Sequence, residues 1–389
     1  MDRQVVRKPD GRSVIFYGFS ASACVEPRPA APAAEADPPP AAGITEEPPP
    51  AAELRWNPVL REWVATAALR QDRTFFPPPD YCPLCPTSEG SYATEIPRPD
   101  YEIVVFENRF PAFTPQSAGS SPEGYDLYAV APARGVCEVV VYSPQHDATL
   151  TQLPESELCN LIAVWADRCA ELGALPYVEY VYVFENKGRE IGVTLQHPHG
   201  QIYALPFVPP IPRRELDAAR EHLARTGRCL FCDIIKRECA GAGAAGSRGH
   251  HATRVVAEND GFVAFIPFFA RWPYETHVYP RRHFGSLVDM TIGEREALAH
   301  LLKTLLGRFD ALFGRALPYV MAMHQSPTDG AAHPYHHFHI EFYPPYRTAD
   351  KLKYLAGVEA GAGQYLNDTI AEEKAAELRA TAGGGEASS

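Results

Sequence analysis

Apolar residues follow two different spacings along this chain. Short runs in which apolar residues alternate or cluster predict strands, because every second side chain of a strand points to the same face. Longer stretches with apolar residues three or four apart predict helices with one polar face. The predicted strands are 137–143, 178–184, 201–207, 276–280 and 337–343, and the predicted helices are 154–172, 214–226, 292–314 and 369–381. Strands joined mostly as meanders, with helices between them, predict an antiparallel α+β fold.

The two ends of the chain differ in composition from the rest. Residues 26–52 consist largely of Pro, Ala and Glu, which provide too little apolar bulk to offset the entropy lost on ordering. We therefore predict a disordered Pro/Ala-rich extension over residues 1–52, within which only 13–17 has the composition of a short strand. The glycine-rich start of residues 383–389 predicts a flexible tail.

Between these ends, a series of short motifs occurs twice in the same order. Each series contains a Cys-x-x-Cys pair, an apolar strand, a segment from Glu to His, and a His-x-His segment. The Glu-to-His segment covers 138–146 in the first half and 275–283 in the second, with equal spacing. A repeated unit predicts repeated chemistry. We predict an N-terminal repeat over 53–212, which carries the active site, and a C-terminal repeat over 213–382.

The charge balance excludes some classes of protein. With 48 acidic against 36 basic residues, the chain is not suited to coating nucleic acid or an anionic membrane, although a local anion site is compatible with it. The sequence has no apolar run long enough to span a bilayer, and no apolar core followed by a small-residue cleavage site near its start. We therefore expect a cytoplasmic protein with no nucleic-acid or membrane partner.

The segment 196–201, Gln-His-Pro-His-Gly-Gln, carries the strongest chemical signal. In a strand, His197, His199 and Gln201 share one face, while the proline and glycine between them let a ligand approach the backbone. A neutral histidine whose other ring nitrogen is hydrogen-bonded can attack phosphorus and carry a covalent intermediate. A pair of structural histidines is the alternative, but the ordered set favours phosphoryl chemistry.

This segment resembles the active-site motif of the galactose-1-phosphate uridylyltransferase family, a branch of the histidine-triad superfamily. Four further segments resemble blocks of that family in the same order, so the resemblance covers about residues 53–380. These segments are 106–111 (FENRFP), 142–146 (YSPQH), 184–188 (FENKG) and 342–345 (FYPP). The resemblance implies two histidine-triad-like half-barrel repeats on one extended, largely antiparallel sheet with flanking helices.

The resemblance also implies an activity, that of a UDP-glucose–hexose-1-phosphate uridylyltransferase in the Leloir pathway of galactose metabolism. His199 would take UMP from UDP-glucose as a uridylyl-histidine and pass it to galactose 1-phosphate, giving glucose 1-phosphate and UDP-galactose. Gln201 would orient the phosphoryl oxygens. Histidine-triad hydrolases usually carry a third histidine there, and glutamine has no titrating proton, so transfer is favoured over hydrolysis.

Cysteine and histidine positions predict two structural zinc sites. Cys-x-x-Cys pairs in a cytosolic protein favour metal over disulfides, and four protein ligands leave a zinc ion no open position. The first set matches the family's zinc ligands, and the repeat supplies the second. The two sets are Cys82, Cys85, His146 and His197, and Cys229, Cys232, His283 and His337. Some family members instead bind iron through a glutamate and three histidines, and the alternative second set here is Glu215, His324, His339 and Glu341, in which a carboxylate replaces the last histidine.

The substrate contacts are inferred from the resemblance alone. Those to uracil and ribose are Phe106, Asn108, Arg109 and Phe110, and those near the phosphates are Asn186, Lys187, Thr194 and Gln201. The arginine pair for the sugar phosphate is Arg70 and Arg73. The hexose contacts, which in the family often come from the partner subunit of a homodimer, are Lys353, Tyr354, Glu359 and Gln364. The neighbouring residues 356–363 depart from the family pattern, so the sugar identity stays open.

Two alternative functions remain open from the sequence. A related nucleotidyltransferase or phosphorylase would act on ADP-sugars or on a dinucleoside polyphosphate. A zinc-stabilised binding protein with an inactive site would form no covalent nucleotide on His199 with any donor.

Overall fold

A computed structural model describes residues 1–19, 52–72, 77, 81–88, 90, 92–117, 127–240 and 253–381. The strands are β1 (Asp2–Arg7), β2 (Ser13–Gly18), β3 (Glu53–Asn57), β4 (Glu62–Thr66), β5 (Ile103–Glu107), β6 (Val130–Pro132), β7 (Val136–Val141), β8 (Tyr180–Lys187), β9 (His199–Leu205), β10 (Val255–Glu258), β11 (Phe262–Phe265), β12 (Thr276–Pro280), β13 (Tyr319–His324), β14 (His339–Tyr343), β15 (Tyr346–Thr348) and β16 (Lys351–Leu352). The helices are α1 (Glu155–Gly173), α2 (Pro210–Thr226), α3 (Leu230–Cys239), α4 (Ile292–Leu312), α5 (Gly357–Ala362) and α6 (Ala371–Ala380). Within these described ranges, no helix combines the length and the apolar character needed to cross a bilayer.

Eleven strands form one sheet in the order β1-β2-β5-β7-β9-β8-β13-β14-β12-β11-β10. The pairings within it are antiparallel. The run β2-β5-β7-β9-β8 has the same order as β10-β11-β12-β14-β13, and the two runs meet where β8 pairs with β13. The predicted α+β class, with repeats on a largely antiparallel sheet, is therefore confirmed.

The two faces of the sheet carry different layers. Helices α1 and α4 pack on one face, where Trp165 and Phe309 are buried among the odd-numbered side chains of β8, such as Val183. Helices α2 and α3 pack on the other face, against Tyr180 and its neighbour Tyr182. Because side chains alternate along a strand, this second face is the one that carries the polar residues of β9.

The predicted disordered extension over residues 1–52 is wrong for its first 19 residues. These contain β1 and β2, which pair with each other, and β2 continues the sheet by pairing with β5. Residues 14–17 are buried on both faces, and the Tyr17 hydroxyl donates to Asp167 of α1 at 2.7 Å. Burial of this apolar run offsets the ordering entropy that the later Pro/Ala composition cannot offset. The rest of that extension, 20–51, and the predicted tail 383–389 lie outside the described residues.

Candidate active site and metal centres

His199 begins β9 and lies between two neighbouring strands. Across the sheet it is opposite Val141 of β7, while Gln201 is opposite Phe184 of β8. His199 and Gln201 share the face away from α1 and α4. The glycine between them is required by space, since a Cβ on Gly200 would lie 2.1 Å from the Tyr142 hydroxyl oxygen.

The His199 ring is fixed in one tautomer. Its Nδ1 lies 2.7 Å from the carbonyl oxygen of His197, and because a carbonyl can only accept, Nδ1 carries the proton. The Nε2 atom then keeps its lone pair. Burial lowers the pKa of His199, and the bond to the carbonyl offsets only part of this effect, so the ring is neutral at neutral pH. His199 therefore has the charge and tautomer of a nucleophile.

The first predicted metal set is brought together beside this motif. Cys85 Sγ lies 3.3 Å from His146 Nδ1 and 3.5 Å from His197 Nδ1, and the ligand atoms, with that of Cys82, lie within 4.8 Å of one another. A tetrahedral zinc ion implies a sulfur–nitrogen separation of about 3.6 Å. His197 Nε2 donates to the carbonyl of Ser143 at 2.7 Å, as metal-bound histidines commonly do.

The thiols of this set stay protonated unless a cation is bound. Burial, together with the charge of the adjacent Cys82 thiolate, raises the pKa of Cys85 to about 12, so two thiolates do not form there unaided. Burial lowers the pKa of His197 to about 4, which keeps its ring neutral and able to donate a lone pair. Both shifts suit zinc, which displaces the thiol protons and binds neutral imidazole.

The second predicted set repeats this geometry in the C-terminal half. Cys232 Sγ lies 3.5 Å from the Nδ1 atoms of both His283 and His337. His337 Nε2 donates to the Pro280 carbonyl at 3.0 Å, the counterpart of the bond from His197 to Ser143. Cys229 completes the set and precedes the first turn of α3, a helix that the sequence pattern did not predict.

The alternative set, Glu215, His324, His339 and Glu341, also converges. His324 Nδ1 lies 2.7 Å from Glu215, and its Nε2 lies 3.7 Å from Glu341. Burial would lower the pKa of His324, but these two carboxylates raise it to about 9. His339 occupies the position equivalent to His199 and donates Nδ1 to the His337 carbonyl at 3.0 Å, yet it is buried. A substrate therefore has no direct access to this second histidine.

Three of the four uracil and ribose residues lie near the Gln201 side of the motif. Asn108 donates its amide to Gln201 at 3.4 Å and accepts from the backbone N–H of Phe110 at 2.9 Å. The Arg109 guanidinium lies 5.6 Å from the Phe110 ring centroid. The fourth, Phe106, is buried with the apolar residues around Cys82, so its ring is part of the core in the described chain.

The predicted phosphate residues are only partly assembled around His199. Asn186, Lys187 and His199 line a cavity of about 350 Å³. The Lys187 ammonium lies 3.2 Å from Asp310, so it already has a partner. Thr194 does not line this cavity, although residues on either side of it do.

Of the two arginines predicted to bind the sugar phosphate, only Arg70 belongs to the described residues. Arg70 donates to the Phe110 carbonyl at 3.1 Å and to the Tyr203 hydroxyl at 3.3 Å, which places it beside the nucleotide residues. Arg73 lies outside the described residues.

The predicted hexose residues do not line the His199 cavity. Lys353 is buried and forms an ion pair with Glu359 at 3.2 Å. The Tyr354 ring is 69% exposed, and Gln364 is exposed as well. Within the described chain, these four residues lie apart from that cavity, with Tyr354 and Gln364 at the surface.

A buried group beneath the motif was missed from the sequence. Tyr142 and Tyr319 both donate hydroxyl bonds of 3.1 Å to Glu185, which also lines the His199 cavity. Burial raises the pKa of Glu185 to about 7. Tyr142 and Glu185 lie in two segments that resemble family blocks, 142–146 and 184–188. Residue spacing does not reveal that a carboxylate is buried, so the group could not be predicted.

Sequence models of the N-terminal and C-terminal domains of galactose-1-phosphate uridyl transferase match residues 47–209 and 215–385. The galactose-1-phosphate uridylyltransferase of Thermotoga maritima is 36% identical over 331 residues, which cover 85% of this chain and 98% of that protein.

Solved structures give the same relationship. A uridylyltransferase structure with 36% identity has a TM-score of 0.70 and covers 84% of this chain and 97% of its own. An ADP-glucose phosphorylase from Arabidopsis thaliana, solved with bound ADP-glucose, has 25% identity and a TM-score of 0.65, covering 86% and 99%. Because the two domain models together match most of its length, this chain belongs to the galactose-1-phosphate uridylyltransferase family.

Proposed function

We propose that the protein is a UDP-glucose–hexose-1-phosphate uridylyltransferase of galactose metabolism, a nucleotidyltransferase that works by double displacement. The observation that carries this proposal is the 2.7 Å bond from His199 Nδ1 to the His197 carbonyl. It leaves a neutral nitrogen lone pair at the start of β9, beside an amide that can bind phosphoryl oxygens.

In the first displacement, His199 Nε2 attacks the α-phosphorus of UDP-glucose, a P–N bond forms, and the P–O bond to glucose 1-phosphate breaks. In the second, a phosphate oxygen of galactose 1-phosphate attacks the same phosphorus and the P–N bond breaks. Gln201, oriented by Asn108, would donate to the phosphoryl oxygens in both steps. The leaving group and the acceptor are nearly identical phosphates, so the two steps are nearly balanced in free energy.

Most of the remaining site residues would keep the roles that the family resemblance gives them. Asn108, Arg109 and Phe110 would form the nucleoside side and Asn186 and Lys187 the phosphate side, whereas Phe106 is buried in the core and Thr194 does not line the His199 cavity. Arg70 and Arg73 would bind the sugar phosphate, since a guanidinium matches phosphate geometry. Lys187 would have to exchange its partner Asp310 for a phosphate on substrate binding.

We propose zinc at both Cys₂His₂ sets. A bound zinc supplies charge that keeps the paired thiols ionised and joins the segment around Cys82 to β9. The sulfur–nitrogen distances of 3.3–3.5 Å in the two sets support this proposal. With four protein ligands each, both ions would be structural.

We also propose that the protein is a homodimer and that it is cytoplasmic. Within each chain, we propose that the N-terminal repeat ends at residue 212 and the C-terminal repeat begins at residue 213. The predicted hexose residues Lys353, Tyr354, Glu359 and Gln364 lie apart from the His199 cavity of their own chain, which supports a contact of their segment with the site of a second copy.

Intact-protein mass spectrometry tests the activity directly. Wild type incubated with UDP-glucose should gain one UMP-sized adduct, and His199→Gly should gain none. ADP-glucose serves as the comparison donor because one structural neighbour binds it. An AMP-sized adduct would move the protein to the adenylyl branch, and no adduct with either donor would reject His199 as the nucleophile.

A further inference from the structure

The loop between β11 and β12 carries Arg271, whose guanidinium contacts two tyrosine rings. It lies 5.0 Å from the ring centroid of Tyr343 and 5.3 Å from that of Tyr365, and its Nη2 donates to the Tyr343 hydroxyl at 2.7 Å. Tyr343 belongs to β14, while Tyr365 belongs to the segment 353–367 that carries the proposed hexose contacts. A single side chain therefore connects the sheet to that segment.

The same guanidinium faces two buried carboxylates. Nη2 lies 3.3 Å from Glu341 Oε2, and Nε lies 3.5 Å from Glu275 Oε1. Glu275 is 0% exposed and Glu341 is 4% exposed, so each needs a paired cation or several donors. His277 also contacts both carboxylates, since its Nε2 lies 3.0 Å from Glu275 and 3.3 Å from Glu341.

These contacts bear on the four-residue cluster of Glu215, His324, His339 and Glu341. Glu341 Oε2 accepts from both the Tyr343 hydroxyl and Arg271 Nη2. A divalent ion bound by Glu341 would therefore lie close to the Arg271 guanidinium, which is itself 3.3 Å from that carboxylate. The two positive charges would repel each other. The residues present do not fit an iron ion held in the manner of the family's iron-binding members.

The β11–β12 loop in turn holds the 353–367 segment at further points. Asn367 donates its amide to the carbonyls of Ala270 at 2.9 Å and Trp272 at 3.4 Å. The Lys353 ammonium lies 5.9 Å from the Trp272 ring centroid. Glu275 fixes the loop itself, because it accepts the backbone N–H groups of Arg271 and Trp272 at 2.6 and 3.0 Å.

We propose that Arg271, paired with Glu341, keeps a metal ion out of the Glu215/His324/His339/Glu341 cluster and positions the 353–367 segment for sugar-phosphate binding. Arg271 is a positioning residue, since it acts through the segment and the substrate does not touch it. The sugar-phosphate part of this inference rests on the proposed function, whereas the metal and ordering parts do not.

Three variants test the inference in the full-length, zinc-loaded protein. Arg271→Met removes the charge, and Arg271→Lys keeps the charge without the planar fork. Arg282→Met is the matched control, because Arg282 is half exposed and pairs with Glu294 in the same repeat. Hydrogen exchange of peptides from 353–367 is measured without substrate, and KM and kcat for galactose 1-phosphate are measured on the same samples.

In Arg271→Met, we expect exchange in 353–367 to accelerate about tenfold while β9 peptides stay unchanged. We expect KM for galactose 1-phosphate to rise about tenfold, with kcat changed less than about threefold and the uridylyl adduct on His199 retained. Arg271→Lys should recover part of the KM, and Arg282→Met should match wild type. Unchanged exchange in both Arg271 variants would overturn the positioning role.

Anaerobic titration with Fe²⁺ tests the metal part. Protein with both Cys₂His₂ sites loaded with zinc should bind no third ion. A third equivalent that is lost in Glu341→Gln would overturn the inference. If wild type forms no uridylyl adduct, the proposed function fails, yet the exchange and titration results still decide the role of Arg271.

Discussion

His197 and His337 make equivalent contacts in the two halves of the sheet. Each directs Nδ1 at the second cysteine of a Cys-x-x-Cys pair, at 3.5 Å in both cases, and each donates Nε2 to a backbone carbonyl. Their positions differ in one respect, because only His197 is followed two residues later by a histidine that faces the open cavity. The ligand geometry is thus duplicated in the described halves, while a histidine open to the cavity is present in one half only.

This duplication predicts two zinc ions per chain with separable roles. Cys85→Ser should lose one zinc together with uridylylation, because the first site is adjacent to His199. Cys232→Ser should lose the other zinc, lower the melting temperature by roughly 5–10 °C and keep the uridylyl adduct. Elemental analysis, melting curves and mass spectrometry check this. Loss of both ions from either variant would contradict independent sites.

The close contact at Gly200 predicts a severe effect of the smallest substitution. Gly200→Ala would place a Cβ 2.1 Å from the Tyr142 hydroxyl and 3.1 Å from the Phe184 carbonyl, so β9 must shift. We expect uridylylation to slow about 100-fold, since small displacements of a nucleophile are costly. Adding Tyr142→Phe should recover part of the rate. Equal rates in the single and double variants would exclude the hydroxyl clash as the cause.

The buried Glu185 predicts a pH-dependent stability. Its pKa is raised from the usual value near 4.5 to about 7, so between these pH values the unfolded chain ionises while the folded chain keeps the proton. The free energy of unfolding should therefore fall by roughly 3 kcal/mol from this group as pH rises from 4.5 through 7. The groups facing it are the hydroxyls of Tyr142 and Tyr319 and the Lys187 ammonium.

Glu185→Gln should remove this part of the pH dependence, because its amide does not titrate. Urea unfolding at pH 5 and pH 8 measures the difference. Relative to wild type, the variant should have a higher free energy of unfolding at pH 8 than at pH 5. The same difference in free energy between the two proteins at both pH values would show that Glu185 does not titrate in this range.

Gln201 predicts the balance between transfer and hydrolysis. Gln201→His would place a titrating proton beside the phosphoryl group, which can protonate a leaving group and support attack by water. We expect release of UMP from UDP-glucose to rise at least about tenfold relative to transfer. Gln201→Asn, which keeps an amide, is the control. Hydrolysis that stays at the wild-type level in Gln201→His would remove this residue as the discriminating feature.

Mixed dimers test whether the group of exposed hexose residues, Tyr354 and Gln364, contributes to the active site of a second copy. His199→Gly lacks the nucleophile, and Gln364→Ala lacks a proposed hexose contact. If the group acts across the interface, mixing the two inactive or impaired proteins restores activity, because each hybrid contains one intact composite site. Light scattering would check that the mixed proteins are dimers. Mixtures no more active than the average of their parents would place the group within its own site.

The sequence alone was sufficient for the fold class and for both Cys₂His₂ sets. The equal Glu-to-His spacing of 138–146 and 275–283 placed His146 and His283 in matching loops, after β7 and β12, and those sets converge as predicted. The α1, α2, α4 and α6 helices also lie within a few residues of the predicted ranges.

Other features depend on contacts between distant segments and leave no local pattern. Residues 13–17 had the composition of a strand and form most of β2, but β1 and the pairing of β2 into the sheet were missed, because the partner strand β5 lies far along the chain. The burial of Phe106 depends on how the segment around Cys82 folds over it. The pairing of Arg271 with Glu341 joins a loop to a strand through side chains that have no fixed spacing.

The main-chain bonds between β8 and β13 fuse the two halves into one hydrogen-bonded lattice. Separating the halves would leave each of these strands with a row of unpaired amide and carbonyl groups, flanked by side chains such as Val183 and Met321 that are shielded from water. Such edges recruit foreign strands. Two separate proteins made from these halves would therefore each need a new cover for the exposed edge strand. This requirement favours keeping the two halves in one chain.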